Sequence, residues 1–121
     1  MDYRDLQKRT KIFAIQIIKL VKSLQKDPIG RILGNQQLLR SGTSVAANYR
    51  AACRSKSAKD FISKIGTVIE EADESQLWLE LLIEAGIVEQ AMVKDLLQES
   101  GELTAIMTAS RNSAIKNQKQ N

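Results

Sequence analysis

The chain has no histidine, one cysteine and one proline. Without histidine there is no imidazole to act as general base or metal ligand. A single cysteine, Cys53, rules out an intrachain disulfide and, with histidine missing, the usual zinc sites. That usage fits a reducing compartment, and Cys53 reads as a small buried hydrophobe. No apolar run reaches the roughly 18 residues of a membrane span, so no membrane partner is expected. The start, Met1-Asp2-Tyr3-Arg4-Asp5, has no apolar signal core, and a cytoplasmic location is expected. Gly30, Gly34 and Gly42 lack the spacing of a phosphate-cradling loop. Glu70, Glu71, Asp73 and Glu74 read as a solvated helix face rather than a hard-metal site. The expectation is therefore no catalytic residues, no metal, no cofactor and no enzyme.

The charge that is present is unevenly spread. Residues 1–64 carry 14 Lys/Arg against 4 Asp/Glu, a net of +10. Residues 65–121 carry 4 against 10, a net of −6, so the formal +4 conceals a polar molecule. Such asymmetry bears on partners rather than on fold. It fits a basic surface for a polyanion, or a basic face that meets the acidic face of another copy.

At 121 residues, with 43% hydrophobic and 26% charged residues, the composition is that of one soluble globular domain. Six glycines and one proline leave few turns, hence a few long elements. The first helix is expected over 3–26, capped by Asp2, with Leu6, Phe13, Ala14, Ile17, Ile18, Leu20, Val21 and Leu24 inward. Asp27-Pro28 restarts the chain as a second helix over 29–53. Its inner face holds Ile32, Leu38, Leu39, Gly42, Val45, Ala46, Tyr49 and Cys53. Gly42 costs about 1 kcal/mol relative to Ala in a helix, and implies either a close neighbouring backbone or a kink. Ser57-Ala58-Lys59-Asp60 resembles a capping box opening a third helix over 57–85. That helix turns Phe61, Ile65, Val68, Ile69, Ala72, Gln76, Leu79 and Ile83 inward, and Gly86-Ile87 reads as a left-handed C-cap. A fourth helix is expected over 89–114, with Met92, Leu96, Leu103, Ile106 and Met107 inward and a break or bend at Ser100-Gly101. Residues 116–121 are expected to fray. Short connections predict an all-α, antiparallel up-down-up-down four-helix bundle over 1–115.

Two surface features exceed what packing needs. Arg4, Lys8, Lys11, Lys19, Lys22 and Lys26 fall within about 80° of the helical wheel, opposite the core, with Ile15 in the same stripe. At 1.5 Å per residue this stripe is about 33 Å long. Arg40, Arg50, Arg54, Lys56 and Lys59 add positive charge around the end of the second helix. The stripe is either a track for phosphates or a solvated face of a basic protein. With no interleaved aromatics, stacking on bases is not supported, and contact would be to backbone. On the third helix Leu77, Trp78 and Leu81 lie away from the main apolar face. They form either an anchor for self-association, with Ile12 and Ile15 as partners, or a corner of the chain's own core. An acidic third helix against a basic first helix is electrostatically complementary.

The run Leu39-Arg40-Ser41-Gly42-Thr43-Ser44-Val45-Ala46-Ala47-Asn48-Tyr49-Arg50 resembles the bacterial family of 23S rRNA intervening sequence proteins. The likeness continues through Ser55-Lys56-Ser57-Ala58-Lys59-Asp60-Phe61-Ile62 and Ile69-Glu70-Glu71-Ala72-Asp73-Glu74-Ser75-Gln76-Leu77-Trp78-Leu79-Glu80-Leu81-Leu82. The resemblance implies a four-helix bundle assembling into a homopentamer. Similar in fold are the accessory variability determinants of diversity-generating retroelements, basic pentamers that bind a reverse transcriptase and nucleic acid. One departure is Ala51, where the family often has Glu. Gln37, Ser41, Ser44 and Asn48 remain as a polar line, either satisfied across a subunit contact or facing solvent. The expected function is a non-catalytic oligomer that binds RNA or DNA through phosphate contacts. The alternative is a protein-interaction scaffold or adaptor, for instance for a reverse transcriptase.

Overall fold

The computed structural model describes residues 2–120, and all of their regular structure is helical. Met1 of the expected domain and Asn121 of the expected tail lie outside the described residues.

Helix α1 is Tyr3–Ser23. The Asp2 carboxylate caps it, accepting the backbone N–H groups of Arg4 at 2.7 Å and Asp5 at 3.1 Å. It ends sooner than the expected residue 26. The Leu24 N–H turns back to the Val21 carbonyl at 3.0 Å, and the chain turns before Pro28, which disfavours helix in the residue preceding it. Lys26 therefore sits in the connection rather than on the helix.

Helix α2 spans 28–52 in three parts: Pro28–Ile32, a π-helical turn Leu33–Leu38, and Leu39–Ala52. Asp27 caps it through the N–H groups of Ile29 at 3.0 Å and Gly30 at 2.8 Å. In the wide turn the Leu39 N–H reaches the Gly34 carbonyl, five residues back. The extra residue rotates everything upstream by about 100°. Gly30 and Gly34 are thereby buried, and Ile32, expected inward, is 48% exposed.

Helix α3 is Ala58–Glu84, opened by the Ser57 hydroxyl, which accepts the Asp60 N–H at 3.0 Å. The Asp60 carboxylate accepts the Lys56 N–H, one residue outside a reciprocal box. At the far end Gly86 takes φ 74°. The Ile87 N–H bonds to the Leu82 carbonyl and the Gly86 N–H to that of Ile83, both at 2.9 Å, as in a Schellman motif. Helix α4 is Gln90–Gln120, without interruption at Ser100-Gly101. The buried Ser100 hydroxyl donates to the Leu97 carbonyl at 2.8 Å. Nor does the helix stop at 114. No Gly or Pro follows Gly101, and the exposed run of Lys, Asn and Gln continues the helix without packing.

The helices pack α1 on α2, α2 on α3, α3 on α4, and less closely α4 on α1. Phe13, Ile17, Leu38, Val45, Ile65, Leu79, Leu82, Leu103 and Met107 fill the shared core. Gly34 faces Val21 and Leu24, while Gly42 faces Ile17, so α2 climbs as α1 descends. Gln76 lies at Gly101 and Arg111 at Gly66, so α3 and α4 also run oppositely. Several inward expectations shift by one residue. Ile18 and Met92 are exposed, and Val93 takes the inner position. Thr10, Ser41, Ser75 and Ser100 are buried polar positions, each with a hydroxyl hydrogen bond that satisfies it.

Candidate nucleic-acid interface

Packing fixes the outer edge of α1 by default. The residues that must face the core occupy one side, so Arg4, Lys8, Lys11, Lys19 and Lys22 are left on the other, all exposed. Lys26 is exposed in the following turn. Among the described residues, no carboxylate lies within ion-pair distance of any of these six. Arg4 rests over the Tyr3 ring, 5.4 Å from its centroid. Ile12, Ile15 and Ile18 are 44%, 42% and 40% exposed between the cations.

The other expected cations divide. Arg50, Arg54, Lys56 and Lys59 are exposed, and among the described residues none of their side-chain cations lies within ion-pair distance of a carboxylate, although Asp60 accepts the Lys56 backbone N–H. Arg40 does not belong with them. Its guanidinium reaches Glu71 on α3 at 3.0 Å and also binds Glu74, and those hydrogen bonds raise its pKa. A cation so held is a strut between helices and has little charge left for a ligand. Arg9, at the opposite edge of α1, is tied in the same way to Glu99 and Glu102 on α4. Among the described residues, carboxylates thus pair with Arg9, Arg40 and Lys64 and leave the lysine edge of α1 alone.

Antiparallel packing also turns the sequence asymmetry into a spatial one. The start of α1 lies beside the end of α2, and the start of α3 beside the later part of α4. Arg4, Lys8, Arg50, Arg54, Lys56 and Lys59 are exposed on the first of these pairs and on the connection to α3, and Lys116 and Lys119 are exposed in the last turns of α4. Lys116 and Lys119 belong to the segment expected to fray, and the helix carries both of them. Helical continuation past 114 was the available signal, since nothing in that segment breaks a helix.

Between α1 and α2 runs a groove of about 290 Å³. Lys11 and Gln7 stand on one wall, Arg50 on the other, and Ala46, Ala47 and Thr43 form part of its floor. Thr43 donates its hydroxyl hydrogen to the Leu39 carbonyl at 2.7 Å. Further along the same seam, Ile18, Lys22 and Leu39 line a second, more apolar groove, closed at one side by reciprocal Gln25–Asn35 hydrogen bonds.

The acidic side of the molecule is built differently. Leu77 and Leu81 are 48% and 40% exposed on α3. Trp78 is half-buried and packs against the core, while its indole N–H is buried without a partner among the described residues. Of the polar line on α2, Ser41 is fully buried and its hydroxyl lies 2.9 Å from that of Ser75. Its partner is therefore in the same chain rather than across a subunit contact. Asn48 donates to the Ser44 carbonyl at 2.9 Å. The Tyr49 hydroxyl has its pKa raised, first by burial and then by the neighbouring Cys53 and Asp2. No group of His, Cys, Asp or Glu among the described residues is placed to hold a metal ion, and no described helix is long and apolar enough to cross a membrane.

An all-helical bundle with one basic, unneutralised side is the class that fold and surface define. Over residues 4–109 the chain matches the model of the 23S rRNA-intervening sequence protein family, and it belongs to that family. It is also similar to a crystal structure from Bacteroides thetaiotaomicron VPI-5482, a protein with unknown function from the S23 ribosomal protein family. The two are 31% identical, with a TM-score of 0.81, over 87% of this chain and 96% of the other. No curated protein matches.

Proposed function

We propose that this protein is a non-catalytic, self-associating binding protein whose α1 side holds nucleic acid through phosphate contacts. The observation that carries the reading is the exposed lysine edge with no carboxylate of its own chain among the described residues. Like charges three and four residues apart repel by a few tenths of a kcal/mol per pair. A polyanion relieves that repulsion and releases counterions as it binds. The family name, which ties these proteins to sequences within 23S rRNA, agrees with a nucleic-acid setting. Binding of labelled RNA and DNA across a salt series tests it. Affinity is expected to fall steeply with salt and to be abolished by Lys8→Glu, Lys11→Glu, Lys19→Glu and Lys22→Glu together. Binding that survives both changes removes the α1 edge as the site.

Self-association draws on the exposed Leu77 and Leu81 beside Glu70 and Glu74, facing Ile12 and Ile15 of another copy. A homopentamer, as the resemblance implies, would scatter light well above the 13.5 kDa of one chain. Leu77→Asp would reduce the assembly, whereas a monomeric wild type excludes it. The same apolar and acidic face favours a second reading, a scaffold for a protein partner such as a reverse transcriptase. Partners retained in nuclease-treated lysate support the scaffold, and partners lost there support nucleic acid.

A further inference from the structure

We propose that the α1–α2 groove is a discrete seat for one sugar–phosphate unit of a nucleic-acid strand, with the phosphate between Lys11 and Arg50 and the sugar on the alanine floor. The inference rests on the nucleic-acid reading above and narrows it from an edge to a site. Three features of the groove carry it. Two cations approach from different helices, so their positions are fixed by the packing of α1 on α2 rather than by one flexible surface. Neither has a carboxylate within ion-pair distance among the described residues, whereas Arg40 on the same helix has two. The floor between them is small and apolar, set by the methyl groups of Ala46 and Ala47.

The chemistry matches this shape. Arg50 offers a planar fork of donors and Lys11 a compact charge, the two ways in which proteins grip phosphate. Thr43 has committed its hydrogen to the Leu39 carbonyl, so it adds no competing donor. Gln7 supplies an amide that can both donate and accept, which suits a sugar hydroxyl or ring oxygen. The seat has no aromatic wall, so it reads backbone and not base sequence. The lysines outside it, Lys19 and Lys26, act only through the field they add.

The test compares variants by fluorescence anisotropy, using a fluorescein-labelled single-stranded RNA of mixed sequence, a DNA duplex and inorganic phosphate as competitor. Lys11→Ala with Arg50→Ala should lower affinity for the strand at least tenfold more than Lys19→Ala with Lys26→Ala. It should also reduce the log–log salt slope by about 1, the value for one phosphate contact. Ala47→Phe fills the groove without changing charge and should weaken the strand about tenfold while leaving the salt dependence of residual binding near that of the edge alone. Circular dichroism checks that each variant keeps its helices. Equal losses from the two lysine and arginine pairs, with Ala47→Phe silent, overturn the seat and leave the lysine edge standing. No strand binding by the wild type overturns both. The duplex should lose affinity with Lys11→Ala and Arg50→Ala as well, since the seat grips one strand's backbone, and a duplex that binds but is unaffected by that pair overturns the seat. Competition by inorganic phosphate at concentrations matching the strand's would show that a free anion is the ligand and overturns the strand.

Discussion

Helix α2 has two seams, and they are opposites. Against α3 its charges and hydroxyls are matched within the chain: Arg40 with Glu71 and Glu74, Ser41 with Ser75. Against α1 the same helix presents Arg50 opposite Lys11, two like charges across an open groove. Apolar closeness holds that second seam together, where Ile17 lies directly over Gly42. The difference separates two meanings of a basic residue. A cation answered by its own chain holds helices in place, and one left unanswered beside a groove is available to something else. Charge density along the sequence does not distinguish the two.

The largest way to break the comparison is to close the apolar seam. A Cβ on Gly42 would lie 2.8 Å from both Cγ atoms of Ile17 and 3.0 Å from its Cβ. The last of these is not a flexible end that can swing away, so Ile17 or the whole of α1 must move. Gly42→Val is expected to cost about 3 kcal/mol through overpacking, more than the helix propensity it gains. On thermal denaturation that is a loss on the order of 10 °C. A Tm unchanged within error would mean that the seam is looser than its geometry.

Most of the scaffold was legible in the residues. Asp2, Asp27 and Ser57 each cap where their side chains predict, and Gly86 takes the left-handed turn. These are local signals, set by a few neighbouring groups. Three things were not legible. The π-helical turn at Leu33–Leu38 has no sequence signature, and it moves Ile32 outward. A helix that runs on to Gln120 without packing depends on propensity alone, which a search for apolar faces overlooks. Which cations stay free depends on partners 31 to 34 residues away, since Arg40 meets Glu71 and Glu74 only after α2 and α3 have docked. The lysine edge was readable because it lies on one helix. The groove was not, because its two walls are far apart in the chain.

A smaller effect concerns the buried tyrosine of α2. Folding raises the pKa of Tyr49 above its ordinary value of about 10, chiefly by burial. The unfolded chain therefore releases this proton first as pH rises. Stability from this group is fully present below about pH 10 and is lost above it, as the unfolded state alone gains the ionised form. Urea midpoints for wild type and Tyr49→Phe should diverge between about pH 8 and about pH 11, with the wild type losing more. Equal losses would show that Tyr49 titrates alike in both states.

The smallest expected effect is the sharpest on function. Arg40 is half-exposed, and surface ion pairs contribute from about zero to about 1 kcal/mol. Arg40→Ala should thus lower stability by less than about 1 kcal/mol. It should leave affinity for RNA and the salt slope unchanged, although it removes as much formal charge as Arg50→Ala. Arg50→Ala should do the reverse, with stability unchanged and the slope reduced by about 1. If the two arginines weaken binding equally, own-chain neutralisation does not decide which cations serve a ligand. Net charge alone would then govern binding, and the contrast between the two seams would carry no functional meaning.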